Sequence, residues 1–248
     1  MPFTLAGVTK LKVPRPAAIV CDMDGLLVDS ERLVRRVWQE TARHRGAELT
    51  DSQFASFVGH SREVCDSLLG EYLGVEFDIP AFHAACDVHM RVLVDAEGVM
   101  LRPGAREWLA FVAHLGIPLG LATASGPVAA RERLGELLGE FDAVVTRADV
   151  ERGKPFPDLY LEAAARLGVA PADALALEDS PTGARAAIAA GMPVLVVPDL
   201  VTTPPEIVAL AVGVYDSLDA VREAAARAWA GGRTSAGSSA SMRGDAER

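Results

Sequence analysis

The chain has 248 residues, with 24 basic side chains against 34 acidic ones, a formal charge of −10, and half of its residues hydrophobic. That much apolar material can bury a sizeable core in one large domain or two smaller ones, which excludes wholesale disorder. The acidic balance speaks against nucleic acid or an anionic membrane as the main partner, since both need clustered Lys and Arg.

The first predicted strand is Ala17–Cys21. From about Leu33 to Gly98 the pattern turns helical, with Leu33/Val37, Val64/Leu68/Leu69 and Phe82/Cys86/Val88/Met90 at mixed helical spacings. Pro103 opens a helix with Trp108, Leu109 and Val112 on one face, and Gly116 closes it. A strand at Leu119–Ala122 follows. The uncharged run from Trp108 to Ala130 is broken by Gly116-Ile117-Pro118 and Ser125-Gly126-Pro127 and contains His114. It therefore reads as helix end, strand and loop rather than a membrane span. Further strands are expected at Ala143–Val145, Ala174–Leu177 and Val194–Val197. A helix from Pro157 to Gly168 lies between the first two of these. Another, capped by Ser180, starts at Pro181 and ends at Gly191. Gly231–Arg248 is rich in Gly, Ser and Ala and reads as a flexible tail.

Continuous apolar strands alternating with helices predict an α/β fold with a Rossmann-like parallel sheet. About a hundred residues separate the first two strands, far more than one crossover needs. The expected organisation is a core of residues 15–32 and 99–230, with an α-helical cap inserted at 33–98 and a tail at 231–248. Cys21, Cys65 and Cys86 show no CxxC pair, and the N-terminus has no long apolar signal segment. Both features fit a cytoplasmic protein.

The densest chemical signal is Asp22-Met-Asp24-Gly25-Leu-Leu-Val-Asp29-Ser30, directly after the first strand. Ligands of open α/β sheets bind at the carboxyl ends of strands, where Asp22 and Asp24 would project. Two carboxylates there can hold a hard divalent cation, or divide the work of nucleophile and proton carrier. A calcium loop does not fit, because Leu26 and Leu33 fall where oxygen ligands are needed, whereas a plain turn is compatible with this motif alone. Thr123, followed by Ala124 and Ser125, ends the second strand with a hydroxyl and free backbone N–H groups. Alone, it also suits a simple cap. Lys154 is one of only three lysines and sits in Gly-Lys-Pro-Phe-Pro. Glu178-Asp179-Ser180 closes the fourth strand, as either a metal pair or an acidic helix start.

The segments DMDGLLVDS, LATAS, GKPFPD and ALEDSPTGA, in that order, closely resemble the four signatures of the haloacid dehalogenase-like (HAD) superfamily. The likeness extends from about Ala17 to Pro198. The helical insertion resembles the cap of its β-phosphoglucomutase-like and sugar-phosphatase branch. The resemblance implies Asp22 as nucleophile and Asp24 as acid and base. It also implies Thr123, Ala124 and Lys154 as phosphate contacts. Mg²⁺ would be held by Asp22, the Asp24 backbone carbonyl, Asp179 and Glu178. In the cap, His60 and Arg62, within Gly59-His-Ser-Arg-Glu63, and Arg91 are the implied substrate contacts. Each arginine fits a solvated helix charge equally well.

Asp24 disfavours carbon–halogen hydrolysis, since the dehalogenases of the superfamily usually lack it. Val34 stands where β-phosphoglucomutases carry a histidine, so a phosphatase is expected ahead of a phosphomutase. A receiver-type signalling module would place its acidic pair before the phosphorylated Asp, the reverse of the order here. The expected partner is a small phosphorylated metabolite, with sugar phosphates leading, for a monomer or weak dimer.

Overall fold

A computed structural model describes residues 14–57, 62–98, 100–199 and 201–229. The elements run β1 (Ala18–Cys21), α1 (Ser30–His44), α2 (Asp51–Ala55), α3 (Arg62–Leu73), α4 (Ile79–Glu97) and α5 (Ala105–Leu115). They continue β2 (Leu119–Ala122), α6 (Pro127–Leu134), β3 (Ala143–Val145), α7 (Asp158–Leu167), β4 (Ala174–Glu178) and α8 (Pro181–Ala189). β5 (Val194–Val196), α9 (Pro205–Leu210), β6 (Gly213–Val214) and α10 (Leu218–Trp229) are the last elements among the described residues. All five predicted strands are present to within a residue. β6 went unpredicted because its two residues are too short to make a hydropathy pattern.

The strands form one parallel sheet in the order β3-β2-β1-β4-β5-β6. From β1 the chain first steps outward to β2 and β3, then returns to lay β4 on the other side of β1. The carboxyl ends of β1 and β4 therefore flank the point where strand order reverses, which is where doubly wound sheets open a crevice. Both faces of the sheet are buried. Ile19, Cys21, Leu175 and Leu177 join a cluster with Trp108 and Leu109 of α5, while Ala18, Val20, Ala174 and Ala176 join one with Leu159 and Tyr160 of α7. The small residues on the second face let α7 and α8 approach closely.

α1 to α4 hold a third, separate cluster built only from residues between Leu33 and Leu93. Trp38 packs against it, edge-on to Phe54, Phe57, Phe82 and His83. The segment joins the sheet through paired connections: Val28 bridges Leu101 antiparallel, and the Asp29 and Arg102 amides donate to Met100 and Leu27. Among the described residues, no helix is long and apolar enough to cross a membrane. Cys21, Cys65 and Cys86 are all buried, and none of the three forms a disulfide.

Candidate active site

β1 ends at Cys21, and its ladder continues one bond further as the Asp22 amide donates to Leu177. This fixes Asp22 beside the end of β4, where its side chain is buried. The chain then turns tightly: the Gly25 amide donates to Val28, and Gly25 has a φ of +84°. A Cβ on Gly25 would lie 2.1 Å from Asp179 Oδ2, so only glycine admits Asp179 at this turn. Gly183, in the first turn of α8, does the same for the neighbouring carboxylate, since a Cβ there would lie 1.8 Å from Glu178 Oε1.

Lys154 reaches into this floor from the loop before α7. Its Nζ donates to Asp22 Oδ1 and to Glu178 Oε1, both at 2.5 Å. Glu178 is fully buried and accepts further bonds from Tyr160 Oη at 2.6 Å and Ser180 Oγ at 3.1 Å. Asp22, Glu178 and Asp179 each bring an oxygen to within 4.8 Å of the others.

The electrostatics follow from this crowding. Burial, with Glu178 and Asp24 nearby, pushes Asp22 up to about 7 even though Lys154 pulls it down. Burial and the charges of Glu178 and Asp22 likewise push Asp179 well above the carboxylate range. Lys154 is raised: burial opposes its charge, but the pull of Asp22 and Glu178 outweighs it. Three carboxylates share one ammonium, leaving two negative charges uncompensated when all are ionised. A hard, all-oxygen donor set with that imbalance fits a divalent cation such as Mg²⁺.

Asp24 points elsewhere. Arg133 of α6 pairs with its Oδ1, and Ser125 Oγ donates to its Oδ2 at 2.7 Å. Arg133 also donates to Ser125 Oγ at 3.1 Å, so the three groups close a ring. Thr123 is fully buried; its Oγ1 accepts from the Ser125 amide at 3.0 Å and makes a long 3.5 Å contact with Asp24. Ala124 is exposed at the same strand mouth.

A cavity of about 550 Å³ opens between α1, α4 and α6. Its wall includes Val34, Trp38, Met90, Arg91, Val128 and Arg133. The structure thus brings together Asp22, Lys154, Glu178 and Asp179, puts Asp24 beside Thr123, and sets Arg91 on the cavity. Arg62 is exposed and pairs with Asp66 of its own helix at 3.5 Å. His60 lies outside the described residues. Sequence reasoning missed Ser125, Arg133, Tyr160 and Ser180 as site residues. Tyr160, one of only three tyrosines, was the most visible of them, on the helix that follows Lys154. Arg133 had no signal, as one of three charged residues in succession on α6.

A family model described as haloacid dehalogenase-like hydrolase matches residues 16–191. Hexitol phosphatase A of Escherichia coli is 37% identical over 186 residues, spanning 74% of this chain and 83% of that protein. The phosphorylated carbohydrates phosphatase of Thermotoga maritima is 33% identical over 177 residues, spanning 71% and 82%. Among solved structures, a HAD family hydrolase from Deinococcus radiodurans with bound phosphate and sodium superposes with a TM-score of 0.73. It is 28% identical and spans 86% of this chain and 96% of that one.

Proposed function

This chain belongs to the haloacid dehalogenase-like hydrolases and is a phosphatase, and from that premise we propose that it hydrolyses a small phosphorylated carbohydrate through an aspartyl-phosphate on Asp22. The observation that carries the reading is the floor of three carboxylates and one ammonium at the ends of β1 and β4, together with a cavity large enough for a sugar whose wall residue Arg133 pairs with Asp24. The carbohydrate is the natural candidate because the two named relatives are phosphatases of a hexitol phosphate and of phosphorylated carbohydrates.

Asp22 attacks phosphorus in line while Asp24, in its protonated form, gives a proton to the departing sugar oxygen. Asp24, now a carboxylate, takes a proton from the water that attacks the same phosphorus. The P–O bond to Asp22 breaks, and inorganic phosphate leaves. Lys154, Thr123 and the backbone N–H of Ala124 hold the phosphoryl oxygens, with Lys154 also offsetting their charge against the incoming carboxylate. Asp22, Asp179, the Asp24 carbonyl and Glu178 would hold Mg²⁺, Glu178 directly or through water. When bound, the ion supplies charge that lets one anion approach another. Glu178 has a second duty in this reading, since Tyr160 and Ser180 fix its carboxylate and it fixes Lys154.

Residues 33–98 act as the cap, with 15–32 and 99–230 as the catalytic core. The cap supplies leaving-group recognition through Arg91, His60 and Arg62. Val34 offers no proton at the cavity wall, so water rather than a sugar hydroxyl resolves the phospho-enzyme. The test is phosphate release from a panel of sugar and sugar-alcohol phosphates, with and without Mg²⁺. Loss of substrate with no phosphate release would overturn the reading in favour of a mutase.

A further inference from the structure

The leaving-group side of the site contains an arrangement that no signature motif demands. Asp24 is held by one arginine from α6, and that arginine is also part of the cavity wall. The pair is not a loose surface contact: side-chain exposure is 22% for Arg133 and 27% for Asp24, and Ser125 Oγ bonds both partners. One guanidinium nitrogen, Nη1, makes both of these bonds. Among the described residues, no acceptor is paired with its Nε or Nη2. A guanidinium carries five N–H donors in a rigid planar fork, so donors remain for a molecule in the cavity. The rest of the wall suits a hydroxylated carbon skeleton. Trp38, Met90 and Val128 offer apolar surface, while Asp87, Asp95 and Arg91 offer acceptors and donors.

Resting on the phosphatase reading above, we propose that Arg133 is the positioning residue for Asp24 and a specificity determinant for the leaving group. The guanidinium and the Ser125 hydroxyl orient the Asp24 carboxyl, and the spare donors of the same guanidinium engage hydroxyls of the sugar in the cavity. A single planar group thereby ties the alignment of the acid to the presence of the correct leaving group. A substrate that leaves the cavity unfilled forgoes that alignment.

Leaving-group dependence tests this, because a sugar alkoxide needs protonation whereas p-nitrophenolate departs without help. Arg133→Ala, Arg133→Lys and Ser125→Ala are assayed with Mg²⁺ on sorbitol 6-phosphate and on p-nitrophenyl phosphate. Arg133→Ala is expected to lose at least ~10-fold more kcat/KM on the sugar-alcohol ester than on the aryl ester. Arg133→Lys should recover part of that difference, and Ser125→Ala, a milder change to the same ring, should show it on a smaller scale. In an Asp24→Asn background, assayed on the aryl ester, Arg133→Ala should cost nothing further, since its route to the reaction runs through Asp24. Equal losses on the two esters in both alanine variants, or full additivity with Asp24→Asn, overturns the proposal. If the unmodified protein releases phosphate from neither ester, the phosphatase reading itself fails, a result distinct from either of those.

Discussion

The floor of the site around Asp22 and the wall around Asp24 lie two residues apart in sequence and are built on opposite plans. The floor comes from strand ends and the loops that touch them, is largely buried, and sets three carboxylates against one ammonium that bonds two of them. The wall comes from α6 and the loops after β1 and β2, is partly exposed, and pairs one carboxylate with one arginine that lines the cavity. Only the floor carries an unbalanced charge. A buried excess of negative charge costs stability unless something positive arrives, whereas a matched pair at a part-exposed site costs little. On the proposed function, the floor would take a cation and a phosphate, and the wall a neutral leaving group.

The largest effect should come from the floor. Asp22→Asn is expected to lower turnover by several orders of magnitude on alkyl and aryl esters alike, because an amide is a poor nucleophile. Without Mg²⁺ its melting midpoint should be no lower than that of the unmodified protein, since one of the crowded charges is gone. A large drop in that midpoint would mean that the floor is not over-charged after all.

Chelation should abolish activity, and added Mg²⁺ should restore it and raise the melting midpoint. The pH dependence of the chelated protein follows from Asp22, which burial lifts from 3.8 to about 7 in the folded state. Between those values the folded protein binds more protons than the unfolded chain. Its stability therefore falls as pH rises from about 4 to about 7. Asp179 is displaced in the same direction and adds to the slope. Melting curves in EDTA across this range should show the fall, Asp22→Asn should shrink it, and Mg²⁺ should flatten it.

Lys154→Ala removes the sole ammonium of the floor. About 10²–10³ in kcat is the expected loss for an electrostatic stabiliser. Stability in EDTA should fall as well, by about 3–5 kcal/mol, the usual cost of leaving buried charges without their partner. Urea titration with and without Mg²⁺ measures this, and the ion should offset part of the drop.

The same contrast explains what could be read from the chain. Asp22, Asp24, Lys154, Glu178 and Asp179 sit in short contiguous motifs beside apolar strands, so position and chemistry were written together. The floor was legible for that reason, as were the five longer strands of the sheet and the helical stretch between β1 and β2. Arg133 is different. It reaches Asp24 across 109 positions because α6 follows β2, the strand paired with β1, and nothing local to Arg133 marks that event. The same holds for Tyr160, whose hydroxyl finds Glu178 only once α7 packs on the sheet. Arg62 lies between these cases: its motif is local, and its exposed side chain pairs with Asp66 on its own helix.

A milder perturbation of the floor is Gly183→Ala. The added methyl would meet Glu178 Oε1 at 1.8 Å, so the carboxylate or the first turn of α8 has to move. Overpacking of this kind costs about 1–3 kcal/mol. Because Glu178 also fixes Lys154, kcat should fall together with stability. Retention of both would mean that Glu178 has slack that its four bonds do not suggest.

The smallest effect is expected on the wall, at Arg91. It is an exposed residue of α4 that lines the same cavity as Arg133. Water already satisfies much of an exposed guanidinium, so a bond from it to a sugar hydroxyl gains only the modest net value of an ordinary hydrogen bond, about 0.5–1.5 kcal/mol. That converts to roughly 2–10-fold in kcat/KM, and binding rather than chemistry should carry it. Arg91→Ala should therefore raise KM for a sugar-alcohol phosphate by this factor and change kcat far less. A steady-state comparison on sorbitol 6-phosphate decides the matter. If the loss reaches a hundredfold or falls mainly on kcat, the wall is as demanding as the floor, and the division between them does not hold.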